Sequence, residues 1–317
     1  MNFALPLFPE QASTMAGRVD ALTFFLLGVS GFFATLICLL IIIFVVKYRR
    51  RSDEERPPAV GSDMRLEIFW TVVPLGLTLI MFFWGVKLYF ITFTPPANSL
   101  EIAVVAKQWM WKVQHPEGQR EIDELHIPLG RPVKLVLTSQ DVIHDFSVPA
   151  FRVKRDVVPG RYTTVWFEAN KPGEYHLFCA QYCGTQHSGM IGRIVVMTQA
   201  EYQSWLSGSA TGISVTLAGE RLFQQLACNN CHGEDATSRG PSLAGLFGKT
   251  VKLEGGGSVT ADEDYIRESI LNPQAKIVAG YRPIMPTFKG LLTEDEILEI
   301  VAYVKSIYRE ERQQAKK

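Results

Sequence analysis

The chain has 317 residues, with 32 basic and 32 acidic side chains and a formal net charge of zero. That balance excludes a nucleic-acid partner held by bulk electrostatics, and the length suits two ordinary domains plus an appendage. Hydrophobic residues make up 47% of the chain, and their excess lies near the N-terminus.

Residues 22–46 (LTFFLLGVSGFFATLICLLIIIFVV) and 68–86 (IFWTVVPLGLTLIMFFWGV) carry no charge. Each is long enough as a helix to cross a hydrocarbon layer of roughly 30 Å. A two-pass hairpin is therefore expected within residues 1–94, with spans at about 22–46 and 67–90. The connector holds Lys47, Arg49, Arg50, Arg51, Arg56 and Arg65, whereas residues 1–21 hold only Arg18. By the positive-inside rule the connector is cytoplasmic and both termini lie outside, on the periplasmic side of a bacterial plasma (inner) membrane. No basic stretch precedes the first span, so a cleaved signal peptide is not expected. Four of the five cysteines then sit on the oxidising side, in two close pairs. Cys38, inside the first span, reads as a small hydrophobe.

After Thr94-Pro95-Pro96 the texture changes to short runs rich in Val, Ile, Tyr and Trp, at 101–106, 134–138, 162–168 and 192–197. Such runs predict a compact antiparallel sandwich or barrel over residues 95–206. Residues 207–216, including SGSATGIS, read as a flexible linker. Beyond them residues 217–317 read as a small all-α domain, with helices at 217–227, 262–271 and 294–308. The last follows a Thr293-x-x-Glu296 capping box, and 309–317 reads as a solvated end. Residues 95–210 hold 11 acidic and 11 basic side chains, and 211–317 hold 14 and 13, so neither part is a strongly charged docking body by composition.

The segment Cys179-Ala-Gln-Tyr-Cys183-Gly-Thr-Gln-His187-Ser-Gly-Met190 carries the most chemistry, with His144 35 residues before Cys179. Two thiols, two imidazoles and a thioether are a soft set that suits copper rather than magnesium or calcium. A mononuclear copper site needs one cysteine; the second thiolate can bridge two coppers and keep the geometry fixed during one-electron reduction. The bland alternative is a Cys179–Cys183 disulfide with His144, His187 and Met190 as ordinary loop and core residues. The added His and Met at fixed offsets favour the metal.

This run resembles the binuclear-copper loop of cytochrome c oxidase subunit II, and residues 139–160 (SQDVIHDFSVPAFRVKRDVVPG) resemble that family's upstream ligand segment. The likeness covers roughly residues 15–200 and implies two membrane helices followed by a cupredoxin domain. It implies that Cys179 and Cys183 bridge the coppers of a CuA centre, with His144, His187, Met190 and the backbone carbonyl of Gln181 as further ligands. Many family members have Glu where Gln181 stands, and that side chain also binds magnesium or manganese shared with subunit I; neutral Gln181 argues against that metal here. Gln108-Trp109-Met110-Trp111 resembles the family's aromatic stretch, which makes Trp109 the candidate electron-entry residue, while both tryptophans also suit a sheet core. Glu67, in Glu-Ile-Phe-Trp-Thr, matches the acid at the mouth of a proton pathway, although an acid at a helix N-terminus is favoured by the dipole alone.

Cys228-Asn-Asn-Cys231-His232 is the attachment signature of a c-type haem. Met285 follows His232 by 53 residues and could supply a thioether ligand that raises the reduction potential. Gly240-Pro241-Ser-Leu243 resembles the stretch in class I cytochromes c where a proline carbonyl orients the ligand histidine. The alternatives are a Cys-x-x-Cys disulfide or redox motif, with Met285 as plain core. His115, His126 and His176 carry no motif and read as structural or solvent-facing.

The resemblance as a whole is to a subunit II with a cytochrome c domain fused at its C-terminus, as in caa-type haem–copper oxidases. It implies electron input from a soluble or membrane cytochrome c, or from a quinol-oxidising complex, through haem c and CuA to a haem in subunit I, where O2 is reduced with proton pumping. Subunit I, subunit III and membrane lipid are the expected partners. The rival readings are the electron-input subunit of a copper-containing nitric oxide reductase and a membrane-tethered copper-delivery protein; a quinol-oxidase relative would lack the copper ligands.

Overall fold

The computed structural model describes residues 8–56, 61, 63–208, 214–233 and 238–314. Two helices, α1 (Ala16–Lys47) and α2 (Met64–Phe93), each contain an 18-residue stretch with a mean hydropathy of 2.9 and 2.0 respectively, and are long and apolar enough to cross a membrane. They extend past both ends of the expected spans. Most of their apolar side chains, Cys38 among their neighbours, are exposed, a surface that suits lipid or protein rather than water. Phe25 and Trp84 meet between the helices at 5.4 Å. Asp63 caps α2 by accepting from the Arg65 N–H at 3.0 Å, and Pro74 inside it has no N–H to offer the Trp70 carbonyl.

Ten strands follow: β1 (Leu100–Lys107), β2 (Met110–Gln114), β3 (Arg120–Ile122), β4 (Glu124–Pro128), β5 (Val133–Ser139), β6 (His144–Val148), β7 (Val153–Val157), β8 (Thr163–Phe167), β9 (Gly173–Cys179) and β10 (Ile191–Met197). They form two five-stranded sheets, β3-β2-β1-β5-β8 and β4-β10-β9-β6-β7. The expected antiparallel sandwich is in fact mixed, because β1 pairs β5 and β10 pairs β4 in parallel. The chain passes from the first sheet at β3 to the second at β4 and back at β5, so a strand returns in the same direction; periodicity within one strand carries no trace of this. Alternation along β1 and β5 sends Ile102, Val104, Leu135 and Leu137 inward against Phe146, Leu177 and Ile194 of the second sheet.

Helix α3 (Gln199–Gly208) was not expected, and it takes the first residues of the anticipated linker. Its buried Tyr202 and Leu206 join the sandwich core with Trp205. Trp205 stacks on His126 at 4.7 Å, and Glu121 hydrogen-bonds both His126 and the buried His115. Burial pushes the Glu121 carboxyl up, but the two histidines outweigh it and bring it down to about 2 from the usual 4.5. Of the linker, 209–213 lie outside the described residues.

The C-terminal part contains α4 (Val215–Gln225), a short hairpin of β11 (Thr250–Lys252) and β12 (Ser258–Thr260), α5 (Glu263–Leu271) and α6 (Glu294–Gln314). The hairpin departs from the all-α expectation. So does the length of α6, which runs on through Gln314 where a solvated end was expected from 309; Glu, Arg and Gln are good helix formers. Residues 315–317 lie outside the described residues. The capping box is present: Thr293 N and Oγ1 both donate to Glu296, at 2.8 and 2.9 Å, and the Glu296 N–H returns a bond to Thr293 Oγ1 at 3.3 Å. The core of this part joins Phe223, Ile266, Ile270, Ile297, Val301 and Val304.

The membrane helices and the sandwich are joined at several points. Ser13 bridges Ala169, Arg152 clasps Asp20 of α1 with its Nε at 2.8 Å, and the Trp166 indole donates to the Ile91 carbonyl of α2 at 3.1 Å.

Two consequences are measurable. A Cβ on Gly219 would stand 1.9 Å from the Glu299 carbonyl oxygen where α4 crosses α6, so Gly219→Ala is expected to destabilise the C-terminal part by about 1–3 kcal/mol in thermal unfolding. Glu121 has a depressed folded-state pKa, so its contribution is fully present above about pH 4.5 and is lost as pH falls towards 2. An acid-unfolding series should therefore be steeper across that window for the native chain than for Glu121→Gln.

Candidate metal centre and haem pocket

The end of β9 and the start of β6 are neighbours, with Phe146 opposite Cys179. That pairing brings His144 and Cys179 to one rim of the second sheet. From there residues 180–190 loop over to β10, closed by Cys179 N to the Met190 carbonyl at 3.1 Å and His187 N to the Gly184 carbonyl at 3.0 Å. Gly184 is required in this loop: its φ is +119°, and a Cβ would stand 2.9 Å from Gln108 Nε2.

The sequence-predicted ligands all converge. Cys179 Sγ lies 3.7 Å from Cys183 Sγ, 3.9 Å from His144 Nδ1 and 3.2 Å from the Gln181 carbonyl oxygen. Cys183 Sγ lies 3.5 Å from His187 Nδ1 and 3.9 Å from Met190 Sδ. The cysteines are free thiols rather than a disulfide, and His144, Cys179, Cys183 and Met190 are buried. Burial pushes both thiols up. At Cys179, hydrogen bonds from His144 and the backbone reverse this and bring it down to about 6, whereas burial and the neighbouring Cys179 push Cys183 up to about 12. A crowded, soft set with one ready thiolate fits copper, whose positive charge would replace the proton on the second sulfur.

Two residues beside the ligands were not picked out from sequence. Asp141 Oδ1 takes the far nitrogen of His144 at 2.8 Å, and its other oxygen accepts the Gln108 N–H at 2.7 Å. Burial raises the Asp141 carboxyl, but the Gln108 and His144 bonds win and hold it below the usual range. Gln108 Nε2 donates to the Cys183 carbonyl at 2.7 Å. Both residues lie in stretches read as family-like, yet no spacing rule marks either. Trp109 is half-buried, with its indole N–H 3.3 Å from the same Cys183 carbonyl, whereas Trp111 is fully buried core against Phe146.

The haem-type residues also gather. Helix α4 runs into a turn at Cys228–Asn230, and the His232 N–H donates to the Cys228 carbonyl at 3.0 Å. His232 Nδ1 donates to the Pro241 carbonyl at 2.8 Å, which leaves the Nε2 lone pair to act as a ligand. Gly240 lets that segment approach, since a Cβ there would be 2.9 Å from the imidazole. Cys228, Cys231, His232 and Met285 line one cavity whose remaining walls are mostly apolar, Ile266 and Val304 among them. A slot with two free thiols at one wall, an oriented imidazole beside them and a thioether in its lining fits a covalent haem.

Glu67 is not part of either site. It is half-buried in the first turn of α2, 24 residues from Ile91 at the sandwich end, which is roughly 36 Å along a helix. Among the described residues, Glu121, Glu124 and His126 also bring ligand-type atoms within 4.8 Å of one another. Their atoms are taken up by each other and by Arg193, whose Nε donates to Glu124 at 3.0 Å.

Three stretches of the chain match families of known proteins. Residues 2–88 match the family described as cytochrome c oxidase subunit II, transmembrane domain, and 117–198 match its periplasmic domain. Residues 215–304 match cytochrome c oxidase, cbb3-type, subunit III. Cytochrome c oxidase subunit 2 of Alkalihalophilus pseudofirmus is 29% identical over 268 residues, covering 80% of this chain and 76% of that protein. Cytochrome c oxidase subunit 2 of Metridium senile is 30% identical over 169 residues, 45% of this chain and 68% of that protein. The crystal structure of the periplasmic domain of subunit II of cytochrome oxidase of Bradyrhizobium japonicum is 30% identical, with a TM-score of 0.36 over 37% of this chain and 96% of that one. With its membrane hairpin, its sandwich and a cytochrome c domain following them, the chain belongs to the cytochrome c oxidase subunit II family.

Proposed function

We propose that this chain is the electron-input subunit of a respiratory haem–copper oxidase, carrying electrons from an external donor through a covalent haem c and a dinuclear copper (CuA) centre to haem in subunit I, where O2 is reduced to water with proton pumping. The observation that carries this reading is the convergence of two unbonded thiols, two imidazoles, a thioether and a backbone carbonyl on one buried point. Bound in their two sites, copper and haem would supply reversible one-electron chemistry at potentials set by their ligands.

The chain's own residues set the conditions for that chemistry. Cys179 and Cys183, with His144, His187, Met190 and the Gln181 carbonyl, would hold the metals. Asp141 and Gln108 hold His144 and the Cys183 carbonyl in place, which keeps the geometry stiff on reduction. Cys228 and Cys231 would anchor the haem, and His232, oriented by Pro241, and Met285 would hold its iron. Trp109, touching the ligand loop at the Cys183 carbonyl, is the candidate electron-entry residue. Glu67 is the candidate proton-pathway entrance, on the cytoplasmic side if the basic connector is cytoplasmic. That topology puts both chain ends outside, with α1 and α2 packing against subunit I; subunit III and a cytochrome or quinol-oxidising donor complete the set of partners. Gln181 is neutral, so at that position the side chain brings no charge to a further magnesium or manganese ion.

Copper content and paramagnetic resonance of the purified chain test the reading directly: two coppers with a mixed-valence signal are expected, and fewer than two would end it. Cys183→Ser should abolish that signal and leave the haem spectrum, while Met285→Ala should abolish the Met-ligated low-spin spectrum and leave copper. Asp141→Asn should lower copper affinity roughly 10–100-fold in chelator competition while preserving the fold.

A further inference from the structure

The outward-facing residues of the first sheet are not free. On β1 and β5 the side chains that alternate with the core, Glu101, Val105, Lys134 and Val136, point away from it, and so do Lys112 and Gln114 on β2. All six meet the C-terminal helices. Val105 and Val136 form a buried apolar cluster with Tyr162 and with Leu298 of α6. Around it Lys134 reaches Glu101 at 3.2 Å and Glu263 of α5 at 3.4 Å, while Lys305 of α6 reaches Glu263 at 2.8 Å and also pairs with Glu101. Two cations and two anions make a neutral quartet, with three of the four side chains no more than 20% exposed. Lys112 pairs with Asp295 at 3.2 Å, and Gln114 and Arg120 both donate to the buried Glu299, at 3.1 and 2.5 Å.

The edge of this contact next to the haem slot is held by Arg267, which is buried. Its Nη1 donates to the Gly160 carbonyl of the sandwich at 2.6 Å, its other nitrogens hold Glu294, and the guanidinium stands 5.9 Å above the Tyr162 ring. The Tyr162 N–H in turn donates to Asp264 of α5 at 2.6 Å. A cleft bounded by Gly160, Arg267 and Met285 lies here, so the methionine side of the haem slot faces the turn between β7 and β8. That turn continues into Val157, the strand partner of His144. The stretch expected as a linker is also tied at both ends, by Gln119 Nε2 to the Leu206 carbonyl at 3.0 Å and by Val215 N to the Pro116 carbonyl at 3.3 Å.

We infer that the cytochrome domain is not a tethered carrier swinging on residues 207–216 but is docked in one orientation on the outer face of sheet β3-β2-β1-β5-β8, with Arg267 as the positioning residue that fixes the Met285 side of the haem slot against Gly160. This rests on the functional reading only for its purpose, since the docking is a property of the side chains. A matched apolar patch ringed by mutually neutralised charges is the make-up of a specific interface.

Zero-length carbodiimide coupling of the full chain in detergent, read by mass spectrometry, tests it, because it joins lysines only to carboxylates already in contact. Products Lys112–Asp295, Lys305–Glu101 and Lys134–Glu263 are expected at yields comparable to Lys276–Glu268, an ion pair within the helical part. The control product without the cross-domain ones would overturn the docking. Leu298→Asp, which puts a carboxylate into the apolar cluster, should lower the cross-domain yields at least tenfold with the haem spectrum retained. Lys112→Glu, a surface change on the sandwich that cannot unfold the helices, should lower the Lys305–Glu101 yield in the same direction. Unchanged yields in both variants would refute the proposal. Arg267→Ala should raise amide hydrogen exchange around 284–288 with Lys305–Glu101 coupling kept, and unaltered exchange there would remove its positioning role. Metal content and spectra on the same samples report the electron-input reading separately, so failure of one leaves the other legible.

Discussion

Two buried sulfurs 3.7 Å apart, each within 4 Å of a ring nitrogen, impose the constraint around which the sandwich is built. Left to themselves they ionise at different pH, since burial raises both but His144 and the backbone bring the Cys179 thiol down, while burial and Cys179 push Cys183 up. A cation relieves the conflict only if the donors arrive already aimed. The β6–β9 pairing supplies the aim for His144 and Cys179, Gly184 bends the loop, and Gln108 and Asp141 tie it back to the β1–β2 turn and the end of β5. The deep apolar core beneath, with Trp111 and Phe146 fully buried, keeps these strand ends from shifting.

The helical half uses the same logic with fewer parts. One backbone carbonyl, from Pro241, selects the tautomer of His232, and one glycine, Gly240, makes room for it. Helix α6 then serves two surfaces. Its Ile297, Ile300, Val301 and Val304 close the haem slot and core, while Asp295, Leu298, Glu299 and Lys305 meet the sheet. A single amphipathic helix thus ties the pocket wall to the copper-bearing body.

The two sites were legible in the sequence because their chemistry is local and uses rare residues: Cys, His and Met at fixed offsets. The membrane helices were legible because uncharged runs of that length have few other uses. Strand pairing direction was not, since Val133 to Ser139 reads the same whether β5 pairs β1 in parallel or antiparallel. Helix α3 was hidden by its polar composition, although Tyr202, Trp205 and Leu206 lie three and four residues apart on its buried face. The docking face was hidden for a different reason. Composition counts charges without saying which meet, and Glu101, Lys134, Glu263 and Lys305 come from sites scattered over the chain. Asp141 and Gln108 are common residue types whose role exists only once the loops are folded together.

The clasp of Arg152 on Asp20, together with the Trp166 bond to Ile91, makes the outer ends of both hydrophobic helices part of the sandwich rim. A body mounted on two such pillars has little freedom to tilt or bob over the bilayer. Whatever redox group sits in its cysteine loop is then held at one altitude, so an acceptor embedded in the membrane would see a single tunnelling gap instead of a spread of them.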